Sequence, residues 1–232
     1  MPAASSPDRP LPGRQREARM NDEAVLAAAR ALIAAHGPGA SMADIARRAG
    51  VGVGSLYRRY PNKDALVQAL QVRAVRDAAR LAEEVADAAE KAGVESTEDD
   101  GAVGAFLRKQ ITDAAGPLLR PPGVIGPIPD DLAAVSDELR VGIERLIARD
   151  RAMGLLPDGF TAADVMQLLL HLRPPMPLRR EGADALHLRY LRLVLRGLRD
   201  QAETGDALPE GRRWDEWVSA WYRPDEVDPA AM

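Results

Sequence analysis

Apolar residues recur at intervals of three and four along most of the chain, which is the spacing of an amphipathic helix. No segment shows the strict alternation of a half-buried strand. The first apolar stripe predicts a helix from Asn21 or Asp22 to His36, and Gly37-Pro38-Gly39 is expected to end it. That stripe consists of Val25, Ala29, Leu32 and Ile33. The chain is therefore predicted to be all-α.

Two short helices with clear end signals follow. Ser41 is a candidate N-cap for a helix over 42–49, with Asp44 at the third helical position. Gly50 is expected at the turn, where a side chain would crowd the backbone, and Pro61 stops a second helix over 53–60. The inward-facing residues expected to lock the pair are Ile45, Ala46, Ala49, Val51 and Leu56. A helix, a glycine turn and a second helix form the layout of a helix-turn-helix.

The rest of the chain predicts longer helices. Asn62 is expected to cap one from 63 to about 91, which would be roughly 40 Å long at about 1.5 Å per residue. Beyond a polar break at 93–101, further helices are predicted over 102–115, 132–153, 161–172 and 183–202, with a Pro/Gly-rich stretch at 116–129. Thr161 is the predicted cap of the helix to 172. The last of these helices is apolar nearly all round, which predicts burial on more than one side.

Charge is divided unevenly along the chain. Residues 1–63 hold 10 of the 31 Lys and Arg and 5 of the 35 Asp and Glu, a net of +5, which leaves 21 basic and 30 acidic residues, a net of −9, in the remainder. A basic head on an acidic body is typical of a protein in which one module meets phosphate. The expected division is a disordered basic arm over 1–19, a head over 20–66 and a body over 67–232.

Composition excludes several classes of protein. The chain has no Cys, so disulfides, thiolate chemistry and zinc fingers are excluded. No stretch of 18 apolar residues predicts a membrane span, and the Pro- and Arg-rich start is unlike a secretory signal, so we expect a cytoplasmic protein. His36, His171 and His187 are far apart in sequence, and no metal site or cofactor is predicted. No nucleophile motif is present, so an enzyme is not expected.

Two runs in the head carry a family resemblance. The segments SMADIARRAGV (41–51) and LYRRYPNKDAL (56–66) resemble the N-terminal domain of TetR-family transcriptional regulators, and the resemblance extends over about 21–67. It implies an all-helical homodimer, with a three-helix DNA-binding head joined by a long helix to a larger helical body. It further implies a repressor that a small-molecule ligand releases from a pseudo-palindromic operator. Control by a protein partner, without a small-molecule pocket, remains the alternative.

The resemblance places DNA contacts on the two short helices and at their ends. The expected residues are Ser41, Met42, Arg47, Val53, Gly54, Ser55, Tyr57, Arg58, Arg59 and Lys63. Among them Ser55, Arg58 and Arg59 are expected to read bases, and Val53 to offer at most a contact with a thymine methyl. The solvated face of a helix is an equally good interpretation of Arg47. The chain departs from the family pattern at Gly52, Val53 and Arg59, so its operator is not expected to copy that of a relative.

Other residues near the head have two interpretations each. Tyr60 is expected to be a core aromatic rather than a DNA contact. The arginines of the arm can reach an adjacent minor groove or belong to an idle tail; they are Arg9, Arg14, Arg16 and Arg19. The glycine series from Gly50 to Gly54 is not a dinucleotide loop, because a helix rather than a strand precedes it and position 55 is Ser.

The body is expected to supply the dimer interface and the effector site. The helices near 161–172 and 183–202 match, by position and by their Leu-rich faces, those that form the family's dimer bundle. The expected ligand-lining residues are Phe106, Gln110, Leu139, Ile143, Met166 and Leu170, a set that an ordinary core would also present. The tail residues Trp214, Trp217 and Trp221 are spaced for one helix face and are expected to cover the surface of the body.

Overall fold

The computed structural model describes residues 13–36, 39–92, 100–113, 128–174, 176–205 and 208–220. Within these ranges the chain forms α-helices and no strand, which confirms the predicted class. The helices are α1 (Gly13–His36), α2 (Met42–Ala49), α3 (Val53–Arg59), α4 (Lys63–Ala92), α5 (Gly101–Thr112), α6 (Asp130–Ala152), α7 (Ala162–Leu172), α8 (Arg180–Thr204) and α9 (Trp214–Ala220).

Some predicted features lie outside the described residues. These are residues 1–12 with Arg9, the turn at Gly37-Pro38, most of the polar break, the Pro/Gly-rich stretch up to residue 127, and Trp221. The side chains of Arg14, Arg16 and Arg19 are likewise not described. The backbone of that segment is described, and it corrects the predicted start of α1. The helix begins at Gly13 because no Pro or Gly interrupts the good helix formers between Arg14 and Met20.

The chain separates into two compact units, Met1–Leu70 and Gln71–Met232. The first unit contains α1, α2, α3 and the first turns of α4, and its core is small. The buried residues of that core are Val25, Ala28, Ala29, Met42, Ile45, Ala46, Leu56, Tyr60 and Leu66. The predicted inward residues Ala49 and Val51 are half-buried at its edge.

The second unit is built on a larger core, to which the remainder of α4 and helices α5 to α9 contribute. Close approach of its helices depends on two glycines. An added Cβ at Gly142 would lie 2.8 Å from the Cβ of Ala82, and one at Gly104 would lie 2.8 Å from Cδ1 of Leu195. On the surface of this unit, Arg145 of α6 pairs with two acids of α4.

A buried carboxylate ties α6 to the start of α5. Asp150 is 1% exposed, and its two oxygens accept the backbone N–H groups of Ala102 and Val103, each at 2.8 Å. Burial raises the pKa of Asp150, against the opposing effect of these hydrogen bonds and of Arg149. Asp150 therefore satisfies two amides that the first turn of a helix leaves without intrahelical partners.

Within the single chain, helix α8 buries one face. Burial on more than one side, which we expect from a dimer, stays a prediction. Its buried residues are His187, Leu191 and Leu195. Tyr190 is 53% exposed and Leu193 is 58% exposed, because they lie on a different face of the helix. Arginines occupy much of the remaining surface of α8, so the single chain covers only one of its apolar stripes.

The two described tryptophans of the tail, Trp214 and Trp217, pack against the second unit as predicted. Trp217 is buried, and its Nε1 donates to Oε1 of Gln167 on α7 at 3.0 Å. The rings of Trp214 and Trp217 stack with their centroids 5.7 Å apart. Helix α9 therefore covers part of α7.

Candidate nucleic-acid interface

The start of α2 is fixed by its predicted cap. Oγ of Ser41 accepts the N–H of Asp44 at 3.1 Å, and its hydroxyl donates to Oδ2 of Asp44 at 2.6 Å. The hydrogen bond from Ser41, helped by the charge of Arg47, lowers the pKa of Asp44. Ser41 is exposed, so the first turn of α2 begins at the protein surface.

The turn between α2 and α3 is made by Gly50 in the left-handed region, with φ +70°. The N–H of Gly50 donates to the carbonyl of Arg47 at 3.3 Å, and the N–H of Val51 donates to the carbonyl of Ala46 at 3.0 Å, as in a glycine C-cap. No atom lies within 4 Å of the position that a Cβ at Gly50 would take. The crowding is therefore local, because in the left-handed region a Cβ lies too close to the following carbonyl oxygen, and this is the reason for the glycine.

Helix α3 presents one face to the core and the others to solvent. Leu56 is 2% exposed and Tyr60, which follows the last helical residue, is 8% exposed, so Tyr60 is a core aromatic as predicted. At about 100° per residue, Gly54, Ser55 and Arg58 lie opposite these two side chains. All three are exposed. This group, Gly54, Ser55 and Arg58, is called the outer face of α3 below.

The outer face carries chemistry suited to base edges. Nη2 of Arg58 donates to Oγ of Ser55 at 3.1 Å, which brings a guanidinium and a hydroxyl together one turn apart. Gly54 has no atom within 4 Å of an added Cβ, so the backbone itself is accessible there. On one flank of this face lie Val53 and Tyr57, which are 42% and 48% exposed.

Arg59, on the other flank, is bound to α1. Its guanidinium forms an ion pair with Asp22 of α1 and hydrogen-bonds the phenol of Tyr60. Burial, together with the charge of Asp22, raises the pKa of Tyr60, against the effect of Arg59. Sequence reasoning did not identify Asp22, because its partner is 37 residues away in the chain.

The remaining predicted contacts differ in accessibility. Met42 is 7% exposed and packs its side chain in the core of the first unit, so the predicted DNA contact at Met42 would use its main chain. The reason is helical spacing, since Met42 shares a face with the buried Ile45 and Ala46. Arg47 is exposed and forms an ion pair with Asp44.

Lys63 lies in the first turn of α4 and is half-buried. The predicted cap of this helix is present, since Oδ1 of Asn62 accepts the N–H of Ala65 at 2.8 Å. A cation beside a capped helix start suits a phosphate contact.

The predicted ligand-lining residues are gathered in the core of the second unit. Five of them are buried, and Leu170 is half-buried at the edge of that core. Among the described residues, no group of three or more His, Asp or Glu is placed to hold a metal ion. No helix in the described ranges has the length and apolar character needed to cross a membrane.

The chain is similar to several known proteins. Residues 25–70 match the model of the family described as bacterial regulatory proteins, tetR family. A TetR transcription regulatory protein from Mycobacterium vanbaalenii is 25% identical with a TM-score of 0.53, over 80% of this chain and 98% of that one. A TetR transcriptional regulator from Streptomyces coelicolor is 25% identical with a TM-score of 0.47, over 76% of this chain and 97% of that one. No curated protein sequence matches the chain.

Proposed function

Because this chain belongs to the TetR family of DNA-binding transcriptional regulators, we propose that it is a repressor that a small molecule releases from a pseudo-palindromic operator. The outer face of α3 is the observation that carries the proposal. It consists of a glycine, a hydroxyl and a guanidinium, and it points away from Leu56 and Tyr60. An exposed face of this composition fits the major groove, where side chains donate to base edges.

We assign base readout to Ser55 and Arg58. Arginine donates bidentately to guanine O6 and N7, and each good bidentate pair discriminates against the wrong base by about 1–3 kcal/mol. Val53 and Tyr57 flank Ser55 and Arg58. Val53 suits an apolar contact, and the hydroxyl of Tyr57 suits a phosphate contact. Ser41, Arg47 and Lys63 are assigned to phosphates, and Met42 can contribute only its backbone.

The test begins with selection of genomic fragments that the protein binds, followed by affinity measurements on the selected operator and on random DNA. Arg58→Ala is expected to weaken operator binding by about 1–3 kcal/mol and to relax sequence preference. Arg48→Ala is the matched control, since Arg48 is an exposed arginine of α2. Equal losses on operator and random DNA for Arg58→Ala would exclude base readout by this residue.

Arg59 is proposed to hold α3 in place rather than to read bases. Its partners Asp22 and Tyr60 keep the guanidinium at the flank that faces α1. Asp22→Asn removes the ion pair without changing the size of the side chain. We expect Asp22→Asn and Arg59→Ala to weaken binding to operator and random DNA in the same proportion, unlike Arg58→Ala. If Arg59→Ala loses sequence preference and Asp22→Asn does not, Arg59 contacts bases after all.

Lys63 is expected to contribute charge without sequence information. Lys63→Ala should weaken binding to all DNA and reduce the slope of log affinity against log salt by about one unit. Measurements at several salt concentrations on operator and random DNA check this. An unchanged slope would remove Lys63 from the phosphate contacts.

The proposed dimer uses α7 and the uncovered stripe of α8. Tyr190 and Leu193 supply exposed apolar surface on α8, and Gly197 continues the stripe one turn on. Isologous pairing of this stripe would present two heads to a two-fold symmetric operator. Leu193→Asp is expected to give a monomer by light scattering, whereas Val141→Asp, at a residue 49% exposed on α6, should leave the dimer intact. A wild-type monomer at micromolar concentration would refute the dimer.

Release by a small molecule is proposed to act through the body. Ligand binding shifts the population between two states of the dimer, and the coupling equals the difference in affinity for the two states. We assign the proposed site to residues 106, 110, 139, 143, 166 and 170, which lie in the core of the second unit or at its edge. An effector that binds the body and lowers operator affinity supports this mechanism, and one that leaves operator affinity unchanged contradicts it.

A further inference from the structure

A groove of about 390 Å³ lies in the first unit, between the C-terminal end of α1 and α2. Its ionisable lining residues are His36, which ends α1, and Asp44, Arg47 and Arg48 of α2. His36 and both arginines are exposed, whereas Asp44 is half-buried. The groove is therefore an accessible site with several charged groups along it.

Positive charge is in excess along this groove. Two arginines and one carboxylate line it, so its net charge is +1 with a neutral His36 and +2 with a protonated His36. The turn between α1 and α2 adds only uncharged residues to the lining. Arg47 is paired with Asp44, whereas Arg48 forms no ion pair within the described ranges. A negatively charged group is therefore the occupant that the groove suits.

A hydrogen bond within α1 decides which nitrogen of His36 carries its proton. Nδ1 of His36 lies 3.2 Å from the carbonyl oxygen of Leu32, one turn earlier in the helix. A carbonyl oxygen only accepts hydrogen bonds, so this contact places a proton on Nδ1. Nε2 of the neutral ring is then an acceptor, and it becomes a donor only when the imidazole is protonated. His36 can therefore bind an anion through Nε2 only in its charged form.

The groove borders the surface that is assigned to the DNA backbone. Asp44, which lines it, is hydrogen-bonded by the hydroxyl of Ser41 and paired with Arg47. The hydrogen bond from Ser41 is the largest effect that lowers the pKa of Asp44, and Arg47 and the charge of His36 add to it. The carboxylate of Asp44 thus has two partners, and it interacts electrostatically with the imidazole of His36. An occupant of the groove would lie beside Ser41 and Arg47.

We propose that this groove binds a phosphate of the DNA backbone through Arg48 and the protonated imidazole of His36, so that the head binds DNA more tightly as the pH falls. This inference rests on the assignment of Ser41 and Arg47 to phosphates under the proposed function. A phosphate diester has a negative charge and only accepts hydrogen bonds, which matches a guanidinium and the Nε2–H of an imidazolium. Histidine ordinarily changes charge between pH 5 and 8, so the contact forms within this range. Because phosphates carry no sequence information, the gain is the same for every DNA sequence.

The experiment measures the affinity of the full-length protein for operator and random DNA between about pH 8 and pH 5.5, the range in which histidine gains its proton. Wild-type affinity for both DNAs should rise by about three- to tenfold as the pH falls, the size expected of one hydrogen bond. The slope of log affinity against log salt should steepen by about one unit over the same range. His36→Asn keeps an amide near the position of Nδ1 but has no Nε2. It should bind like wild type at the high pH and lose the gain at the low pH.

His171→Asn is the matched control, since His171 is an exposed histidine of the second unit. It should keep the whole pH dependence of the wild-type protein. The proposal is overturned if wild-type affinity does not rise as the pH falls, or if the rise survives in His36→Asn. Equal losses at high and low pH in His36→Asn would make His36 a structural residue and would also overturn it.

Arg48→Ala tests the second ligand of the phosphate. It should weaken binding to operator and random DNA in the same proportion at every pH, so it still serves as the control for the sequence preference of Arg58→Ala. Wild-type affinity in Arg48→Ala at every pH would overturn the site.

Inorganic phosphate separates a backbone contact from a site for free phosphate compounds. The imidazole signals of His36 are followed by NMR while random duplex or inorganic phosphate is added. A response to the duplex at micromolar concentration, and to inorganic phosphate only at millimolar concentration, supports the backbone contact. A response to inorganic phosphate at micromolar concentration overturns it in favour of a free phosphate compound.

The same measurements separate this inference from the proposed function. A pH dependence that requires His36 in a protein that no small molecule releases from its operator supports the phosphate site and contradicts the proposed release. Release by a small molecule from a protein whose DNA affinity does not change with pH supports the repressor and overturns the phosphate site.

Discussion

Gly50 and Gly54 provide a matched pair for testing how the turn before α3 is held. Both lie in the helix-turn-helix, and neither has an atom within 4 Å of an added Cβ. They differ in backbone conformation, because Gly50 has φ +70° while Gly54 lies within α3. Any difference between Gly50→Ala and Gly54→Ala therefore reports the local backbone conformation rather than contact with other segments of the chain.

The expected changes have opposite signs. Placing an L side chain in the left-handed region costs about 1–2 kcal/mol. Alanine also reduces the conformational entropy of the unfolded chain, which stabilises the folded protein by about 0.4–1 kcal/mol. The net effect of Gly50→Ala should therefore be to lower the free energy of unfolding by about 1 kcal/mol. Gly54→Ala should raise it by about 0.5–1 kcal/mol, the usual gain for alanine over glycine inside a helix.

Urea denaturation followed by far-ultraviolet circular dichroism gives both free energies. Hydrogen exchange of peptides from α2 and α3 shows whether the change arises in the head. Fluorescence is less suitable, because the described tryptophans, Trp214 and Trp217, belong to the second unit. A stability for Gly50→Ala equal to or above wild type, or a loss of equal size in both variants, would refute the left-handed constraint.

Three further changes test the body. Gly142→Ala places a Cβ 2.8 Å from that of Ala82 and should lower the free energy of unfolding by about 1–3 kcal/mol in urea, whereas Gly182→Ala, in open space, should not. Thr161→Ala removes the two hydrogen bonds that the Thr161 hydroxyl makes with Asp164 and should cost about 0.5–2 kcal/mol, with Thr161→Ser keeping most of the stability. Burial raises the pKa of Asp150, so the folded protein binds more protons than the unfolded chain at pH values between 3.8 and that raised pKa. The contribution of Asp150 to stability should therefore fall as the pH rises through this window; a carboxyl titration by ¹³C NMR that gave a pKa below 3.8 would contradict this.

Local signals predicted much of the fold. Ser41, Asn62 and Thr161 cap the helices that their sequence positions indicated, since a cap depends on residues three positions apart. Gly50 occupies the turn for a similar reason, because the left-handed backbone there favours glycine. The partners in these interactions are only a few residues apart in sequence, so the local sequence is enough to predict them.

Contacts between distant segments could not be predicted in this way. The partner of Arg59 is Asp22, and nothing near either residue marks the other. Periodicity also treated α8 as apolar all round, because leucines and arginines alternate too closely there for a single stripe to stand out. Packing against α5 decides which stripe is buried, and that choice depends on residues such as Gly104 and Leu195.

Two roles are proposed for α3 and its C-cap, and they use different faces. Leu56, Tyr60 and Arg59 attach α3 to the rest of the head, through the core and through the ion pair to Asp22. Ser55 and Arg58 make their contact with each other on the outer face, and neither is buried. Under the proposed base readout, substitutions at the outer face are expected to change the DNA sequence preferred without altering the angle at which α3 is presented. A change at Arg59 acts on that angle, and it is expected to affect every DNA sequence alike.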